Sequence, residues 1–301
     1  MTLEAKLGIA PIAWSNDDLP ELGGETTLET CLSDARAAGF TGVETGGKFP
    51  RSAEALSRVL KTFDLSLVSG WYSGTVLDNN FESECARARS QIDLFLNVGA
   101  ACLVYGETAG TIQNVRHAAL DTRRRLSDDA LRRYAQKLNR FAEFCRGEGL
   151  PLAFHHHMGT VIETQRELEL LLDETSDAVG LTLDSGHLAF AGGDAVDIAA
   201  RYPTRIAHVH VKDIRAEVVA GLDRGRQSFL DAVLQGAFTV PGDGALDFAR
   251  LAKRLADIGY EGWFVVEAEQ DPALAPPAHF ARIGFDAMRT ALEAAGYELK
   301  A

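Results

Sequence analysis

Short apolar runs alternate with longer helix-periodic segments along the whole chain, and this alternation constrains the fold more than any other feature. The runs are rich in β-branched residues and occupy 7–14, 41–47, 66–73, 101–108, 151–157, 179–187, 205–213 and 262–270. Strands separated by helical segments predict a parallel sheet with crossover helices. Eight such units in 301 residues favour an α/β fold in which a single (β/α)8 TIM barrel spans residues 1–301.

An open doubly wound sheet is the competing architecture. The first predicted strand is not followed by the GxGxxG pattern of dinucleotide-binding sheets, which lowers this alternative without excluding it. The stretch 214–246 after the seventh predicted strand is longer than a simple βα connection, and we expect it to carry a lid or an extra helix. In a barrel of this kind, the active site is expected where the strands end and the βα loops begin.

Two of the intervening segments have clear helical patterns. Thr26 and Glu29 predict a capping box, and apolar residues at helical spacing follow until Gly39. The fourth helical segment carries one apolar stripe, made of Leu131, Tyr134, Ala135, Leu138, Phe141, Ala142 and Cys145. The run of three arginines at 123–125 is expected to lie on a solvated helix face.

Charge and composition argue against several classes of function. The net charge of −13 would repel a phosphate backbone, so nucleic acid is not expected as a partner. The sequence has no apolar run of about 18 residues and no signal segment, so we expect neither a membrane span nor export. The four cysteines show no CxxC spacing, which fits a reducing, cytoplasmic compartment better than a zinc ribbon or a disulfide framework.

Six of the eight histidines lie between positions 155 and 210, each at or just beyond the end of a predicted strand. Because side chains alternate along a strand, His155 and His157 share one face, and His208, His210 and Lys212 share another. The last four predicted strands therefore each bring an imidazole or a carboxylate to one rim. Neighbouring strands lie about 4.8 Å apart, so these groups can converge on one divalent cation.

The ligands that this pattern favours are Asp184, His210 and Glu267, with His155 as the fourth; nitrogen and oxygen ligands together suit Mn, Fe, Co or Zn. Each residue also has an ordinary interpretation, since strand histidines are often structural and acidic residues at strand ends can cap the next helix. The Lys-Asp pair at 212–213 could form a surface ion pair. Glu267 is the hardest to explain in this way, because an uncompensated carboxylate inside an apolar strand is costly.

The chain resembles the inosose dehydratases of myo-inositol catabolism over nearly its whole length. The resemblance rests on GIAPIAWSNDDLPELGG, GVETGGKFP, SGWYSG, HHHMGT, LDSGHLAFAG, RIAHVHVKDIR, FTVPGDG and GWFVVEAEQDP. This family is part of the xylose isomerase-like, endonuclease IV-like TIM-barrel superfamily. The resemblance implies dehydration of 2-keto-myo-inositol, a small polyol ketone also called scyllo-inosose, to a trihydroxycyclohexane-1,2-dione. It also implies Mn²⁺ or Co²⁺ as the metal, with glutathione as a candidate additional requirement.

By motif, the metal ligands of the superfamily fall on His155, Asp184, His210 and Glu267, with His157 as the alternative to His155. Many relatives have glutamate where this chain has His155. In the expected reaction, a base removes the proton next to the ketone, and the resulting enolate expels the β-hydroxyl. A divalent cation at the carbonyl oxygen would stabilise that enolate, because negative charge develops there.

The other site residues are expected to move protons or to hold the polyol. His157 and His187 are the expected acid and base, although the sequence does not decide which is which. Lys212 is expected to stabilise the enolate oxygen or to orient a hydroxyl group. The residues expected to contact the substrate are Glu44, Glu107, Trp14 and Arg215.

Two other functions stay open at this stage. A ketose or keto-polyol isomerase or epimerase would use the same metal site, because it shares enolate formation and differs only in the fate of the enolate. A non-catalytic polyol-binding protein would bind the ketone without consuming it. A DNA-repair endonuclease of the same superfamily conflicts with the net charge of −13. The oligomeric state, including a homo-oligomer, is also left open.

Overall fold

The structure is a computed structural model that describes residues 2–300. Its strands are β1 (Leu3–Ile9), β2 (Gly42–Thr45), β3 (Ser66–Gly74), β4 (Leu103–Glu107), β5 (Leu152–His155), β6 (Val179–Asp184), β7 (Ile206–Val211), β8 (Asp213–Ile214), β9 (Phe238–Thr239), β10 (Gly262–Val266) and β11 (Tyr297–Leu299). Its α-helices are α1 (Leu28–Ala38), α2 (Ala53–Thr62), α3 (Phe81–Val98), α4 (Asp128–Gly147), α5 (Gln165–Asp173), α6 (Ser185–Phe190), α7 (Ala195–Arg201), α8 (Ala216–Ala220), α9 (Phe229–Leu234), α10 (Phe248–Asp257) and α11 (Pro277–Ala294). Short 3-10 turns lie at Pro11–Ala13, Leu120–Thr122 and Pro203–Arg205.

Eight parallel strands close into a barrel in the order β1 to β7 and then β10, which pairs back with β1. This architecture confirms the predicted (β/α)8 TIM barrel with an insertion after its seventh strand. The insertion holds the antiparallel pair β8–β9 and the short helices α8 and α9. Strand β11 extends the sheet beside the start of β1 and has no counterpart among the predicted strands.

The first strand lies earlier than the predicted range of 7–14. It ends at Ile9, and Pro11 then opens a 3-10 turn. Proline has no backbone N–H and a fixed φ, so the chain turns over the end of the barrel at this point. As a consequence Trp14 lies beyond the strand, at the end of the turn.

The helices follow the predicted pattern with one shift of register. Helix α1 begins after Thr27, whose side chain accepts from the N–H of Thr30. The predicted capping box at Thr26 and Glu29 was therefore wrong, because the N-cap lies one residue later and faces a threonine. Gly39 ends the helix at a φ of 113°, a conformation that favours glycine. The predicted apolar stripe of α4 is buried, because this face packs on the barrel.

The amino-terminal end of the barrel is filled by side chains. Trp263 packs beside Val68, with Gly8 and Gly42 directly next to them. A Cβ atom at Gly42 would lie 2.5 Å from both the Trp263 ring and Val68, so only glycine leaves enough space for the indole. Because this end is plugged, polar groups inside the barrel face its carboxyl end.

Two further observations bear on the expected environment of the protein. Across residues 2–300, every helix is too short or too polar to cross a membrane. All four cysteines are free thiols, and three of them are buried.

Candidate metal centre and active site

The carboxyl ends of β5, β6, β7 and β10 meet around one buried point. His155 Nε2 lies 3.4 Å from Asp184 Oδ2 and 3.2 Å from His210 Nδ1. His210 Nδ1 lies 3.6 Å from Asp184 Oδ2 and 2.9 Å from Glu267 Oε2. The structure therefore brings together the four residues predicted as metal ligands, and each is buried or nearly so.

Hydrogen bonds behind the two imidazoles orient each ring so that its other nitrogen faces this point. His155 Nδ1 lies 2.6 Å from the carbonyl oxygen of His156, which can only accept, so Nδ1 carries the proton and Nε2 the lone pair. His210 Nε2 donates to Glu44 Oε1 at 3.1 Å, and its Nδ1 faces Glu267 Oε2 at 2.9 Å. Burial acts to lower the pKa of His210, but Glu44 and Glu267 raise it well above its ordinary value, so a metal that binds Nδ1 would displace a proton from it. A carbonyl or carboxylate behind the ring is the usual arrangement of a metal-binding histidine.

A buried oxygen of Asp184 is a second observation that indicates a cation-binding site. Its Oδ1 accepts from the N–H of His187 and caps α6, whereas its buried Oδ2 has no hydrogen-bond partner. Burial acts to raise the pKa of Asp184, but Lys212 and His187 hold the pKa well below its ordinary value. An ionised oxygen without a donor is costly inside a protein. Two imidazoles and two carboxylates fit Mn²⁺, Fe²⁺, Co²⁺ or Zn²⁺, so the residues present fit a divalent metal.

Lys212 is fully buried directly behind these ligands. Its Nζ lies 2.6 Å from Glu267 Oε1 and 2.7 Å from Glu269 Oε2, and it donates to His187 Nε2 at 2.8 Å. Burial acts to lower the pKa of Lys212, but Glu267 and Glu269 raise it above its ordinary value. The alternative of a surface pair with Asp213 is wrong, because both residues are buried and Asp213 accepts from backbone N–H groups instead.

The two predicted acid–base histidines occupy different positions. His157 lines the cavity, and its Nδ1 donates to the carbonyl of Met158 at 2.8 Å, so Nε2 is the nitrogen that faces Glu269 Oε1, 3.8 Å away. His187 lies behind it, with ring centroids 4.1 Å apart, and is fully buried. Burial lowers the pKa of His187 to about 3, and the Lys212 ammonium adds to this shift. His187 is therefore neutral and accepts at Nε2 from Lys212.

The metal-ligand set opens into a cavity of about 810 Å³. Its lining includes Asp18, Glu44, Trp71, Gln113, His155, His157, His210, Glu267 and Glu269. Trp71 packs edge-on against His155 and His157, with centroids 5.4 and 5.8 Å away. The cavity is large enough for a ring-shaped small molecule and combines an aromatic wall with charged and polar groups.

Several lining residues were not among the predicted site residues. Asp18 Oδ2 accepts from Gln113 Nε2 at 3.0 Å across the loops that follow β1 and β4. Burial raises the pKa of Asp18, an effect that His157 partly offsets. No local pattern marks Asp18 or Gln113, since they meet only through the barrel topology. Glu269 could have been predicted as a site residue from the sequence, because it shares a strand face with Glu267 two residues earlier.

Three residues predicted to contact substrate do not reach the cavity. The Trp14 indole donates to Asp34 at 3.0 Å and is buried behind the first turn. Arg215 Nη2 pairs with Asp243 at 2.5 Å inside the insertion. Glu107 accepts from the Tyr105 hydroxyl at 2.8 Å and from two backbone N–H groups. In each case a nearby partner satisfies the polar group and holds it away from the site.

Glu44, the fourth predicted substrate contact, does line the cavity. Its Oε1, however, accepts from Ser69, from His208 at 2.9 Å and from His210 at 3.1 Å. Burial acts to raise the pKa of Glu44, but His210 and His208 hold it well below its ordinary value. Its contacts therefore orient His210, and no substrate contact is needed to explain them.

Arg123 corrects the prediction of a solvated arginine face. Its side chain is buried, with Nη2 donating to Glu167 Oε1 at 2.7 Å and Nε 3.2 Å from Glu163 Oε2. Glu163 also accepts from the N–H of Gly159 at 2.8 Å and from Arg224 at 2.7 Å. Because Gly159 belongs to the HHHMGT turn and Arg224 to the insertion, these ion pairs join both segments to the loop before α4.

The insertion packs behind two histidines of the site. Phe229 of α9 packs edge-on against His157 with centroids 5.0 Å apart, and Phe238 of β9 packs against His187 at 5.3 Å. Both phenylalanines are buried in an apolar cluster of the insertion. The predicted extra helix is therefore present, and its aromatic residues shield the two histidines from water.

Comparisons with known proteins agree with this architecture. Residues 32–295 match the family model described as xylose isomerase-like TIM barrel. The chain is 45% identical to the rhizopine catabolism protein MocC of Rhizobium meliloti, over 99% of this chain and 91% of that protein. It is 42% identical to an inosose dehydratase of Geobacillus thermodenitrificans, over 92% of this chain and 94% of that protein.

A solved structure described as IOLI protein with a binding zinc atom shares the fold. It superposes with a TM-score of 0.69 at 15% identity, covering 96% of this chain and 98% of that one. At this identity the similarity supports the fold alone. The sequence relatives extend over nearly the whole chain and confirm the resemblance stated from its motifs. The chain therefore belongs to the xylose isomerase-like TIM-barrel family, in which it groups with the inosose dehydratases, enzymes of the hydro-lyase class.

Proposed function

We propose that this protein is a metal-dependent inosose dehydratase that removes water from 2-keto-myo-inositol to give a trihydroxycyclohexane-1,2-dione. The observation that carries the proposal is the position of His157. Its Nε2 faces the same cavity as the four converging metal ligands. Relatives named inosose dehydratase, at 42% and 43% identity, support the choice of substrate.

His155, Asp184, His210 and Glu267 would hold the metal. When bound, a divalent cation supplies a Lewis acid for the ketone oxygen, where negative charge develops as the neighbouring proton leaves. The two-nitrogen, two-carboxylate set supports the proposal of Mn²⁺ or Co²⁺, and the zinc named for the IOLI protein makes Zn²⁺ a third ion to test. A requirement for glutathione is a separate hypothesis that paired assays with and without it would test.

His157 is the proposed proton carrier. Its Nε2 would take the proton from the carbon next to the ketone, and the Glu269 carboxylate 3.8 Å away would stabilise the resulting imidazolium. The same N–H can then donate to the β-hydroxyl as the C–O bond breaks. One C–H bond and one C–O bond are broken, a C=C bond forms, and water leaves; the enol then becomes the second ketone of the dione.

His187 and Lys212 act in this proposal through their neighbours. Neither lines the cavity, so the earlier expectation that they touch the substrate is replaced by a positioning role. Lys212 holds Glu267 and Glu269, and His187 packs behind His157. The aromatic wall around His157 keeps water from the enolate, which favours elimination over reprotonation by solvent.

Product analysis tests this function. The purified protein, loaded with Mn²⁺, is incubated with 2-keto-myo-inositol, and the products are followed by ultraviolet absorbance and by proton NMR. Dehydration predicts growth of the dione absorbance with loss of the ring proton next to the ketone. An epimerised or isomerised ketone without the dione would reject dehydration in favour of an isomerase. Saturable binding measured by calorimetry, with the ketone recovered intact, would indicate a binding protein.

A further inference from the structure

The two oxygens of Glu267 face two different cationic positions. Its Oε2 lies 2.9 Å from His210 Nδ1, within the proposed metal-ligand set. Its Oε1 lies 2.6 Å from the ammonium of Lys212. A carboxylate with one oxygen toward each of two cations is the bridging arrangement of two-metal sites.

The surroundings of the ammonium resemble a set of metal ligands. Glu269 Oε2 lies 2.7 Å from Lys212 Nζ, and His187 Nε2 lies 2.8 Å away with its lone pair toward the ammonium. Asp184 Oδ2, which has no hydrogen-bond partner, lies 3.7 Å from the same nitrogen. Ligand atoms of Asp184, His187 and Glu267 all come within 4.8 Å of one another. Without the lysine, these groups would suit a second divalent ion.

We propose that Lys212 is a built-in cation that occupies the second position of a potential two-metal site and so limits the protein to one divalent ion. This inference rests on the metal site of the proposed function. It assigns Lys212 a role distinct from contact with the substrate: the ammonium holds Glu267 in its bridging orientation and prevents a second ion from entering behind the first. The remaining ion is then the one that faces the cavity.

The test is a count of bound metal in the wild type and in Lys212→Met, which keeps the length of the side chain and removes its charge. Each protein is stripped with a chelator, loaded with excess Mn²⁺, freed of unbound metal by gel filtration and measured by atomic emission. We expect one ion per chain in the wild type and two in Lys212→Met. Electron paramagnetic resonance should show an isolated Mn²⁺ in the former and a spin-coupled pair in the latter. Lys253→Met, at a lysine exposed on α10, is the matched control and should hold one ion.

A second substitution locates the additional ion. Lys212→Met combined with Glu269→Gln should return to one ion, because the second position loses a charged ligand. A folded Lys212→Met variant with one ion, or a wild type with two, would overturn the inference and leave the dehydratase proposal intact. A wild type with none would overturn both. If Lys212→Met fails to fold, Lys212→Gln replaces it in the same count, because it also removes the ammonium; two ions per chain support the inference and one overturns it.

Discussion

At the scale of single residues, the group behind each imidazole decides what that imidazole can do. The backbone carbonyls of His156 and Met158 accept from Nδ1 of His155 and His157, and both rings therefore turn Nε2 toward the site. His187 instead accepts a hydrogen bond from the Lys212 ammonium at its Nε2. Three neighbouring histidines are thus arranged for three different roles in the proposed function: metal ligand, proton acceptor and internal support.

The role of His157 can be tested by truncation. His157→Ala should lower kcat by about 10²–10⁴, the usual contribution of a general acid–base group. It should keep its bound metal, because His157 is not one of the four converging ligands. Steady-state kinetics with metal analysis measure both properties. His279→Ala, at an exposed histidine, should match the wild type. Retention of more than a tenth of wild-type turnover by His157→Ala would remove His157 from the mechanism.

Glu107 should make stability depend on pH although it does not reach the cavity. Burial raises its pKa from the ordinary 4.5 to about 7, so the folded state binds this proton more tightly than the unfolded state. The resulting stabilisation is complete below the unfolded pKa and disappears as the pH rises through the folded pKa. Relative to Glu107→Gln, the wild type should therefore lose about 3 kcal/mol of unfolding free energy between acidic pH and pH 8.

Urea unfolding of both proteins at pH 4.5, 6 and 8 measures this difference. Groups that titrate in both proteins cancel when the two curves are subtracted, so the comparison isolates Glu107. A difference that stays constant from pH 4.5 to pH 8 would mean that the carboxyl of Glu107 titrates normally.

At the scale of elements, ion pairs join loops that follow different strands. Glu163 lies after β5 and is held by Arg123 from the loop before α4 and by Arg224 from the insertion. It also fixes the N–H of Gly159 in the turn that presents His157. Three loops next to the site are therefore held together by one buried carboxylate.

Removal of one partner from this network should be costly. Arg123→Met would leave Glu167 without its guanidinium and Glu163 with Arg224 alone, so we expect a loss of about 3 kcal/mol in unfolding free energy. Arg125→Met is the matched control, because Arg125 is more than half exposed and lies 3.9 Å from Asp121. Its effect should stay within about 0.5 kcal/mol. Equal losses for the two variants in urea unfolding would mean that Arg123 has no special structural role.

The elements that could be predicted from the sequence are those with local signals. Strand alternation placed His155, Asp184 and Glu267 at strand ends, and a closed barrel brings the ends of neighbouring strands together. Trp14 and Arg215 could not be placed in this way, because the direction of each side chain depends on a distant partner. For Trp14 that partner is Asp34, and for Arg215 it is Asp243 beyond β9.

The contacts of the insertion could not be predicted from the sequence either. Its length predicted extra structure, but nothing local indicated that Phe229 would pack on His157. The buried position of Arg123 was missed for a similar reason, since three consecutive arginines are typical of a solvated face and only the contact with Glu163 shows otherwise.

At the scale of the whole molecule, the two ends of the barrel differ: one end is packed with apolar side chains, and the other carries the candidate active site. The amino-terminal end is plugged by Trp263, while four strands place ionisable groups at the carboxyl end. Because these groups converge only in the folded protein, a metal that binds them stabilises the fold. Free metal at 1,000 times its Kd would add about 4 kcal/mol to the free energy of unfolding.

The central claim is that groups from the last four strands of the barrel hold one cation for dehydration of 2-keto-myo-inositol. The most direct measurement is the rate of dione formation by chelator-stripped protein after Mn²⁺, Co²⁺, Zn²⁺ or Mg²⁺ is added in turn. We predict no turnover without metal, and recovery with Mn²⁺ or Co²⁺ that saturates at one ion per chain. Full activity of the stripped protein, or no dione with any of the four ions, would contradict the account.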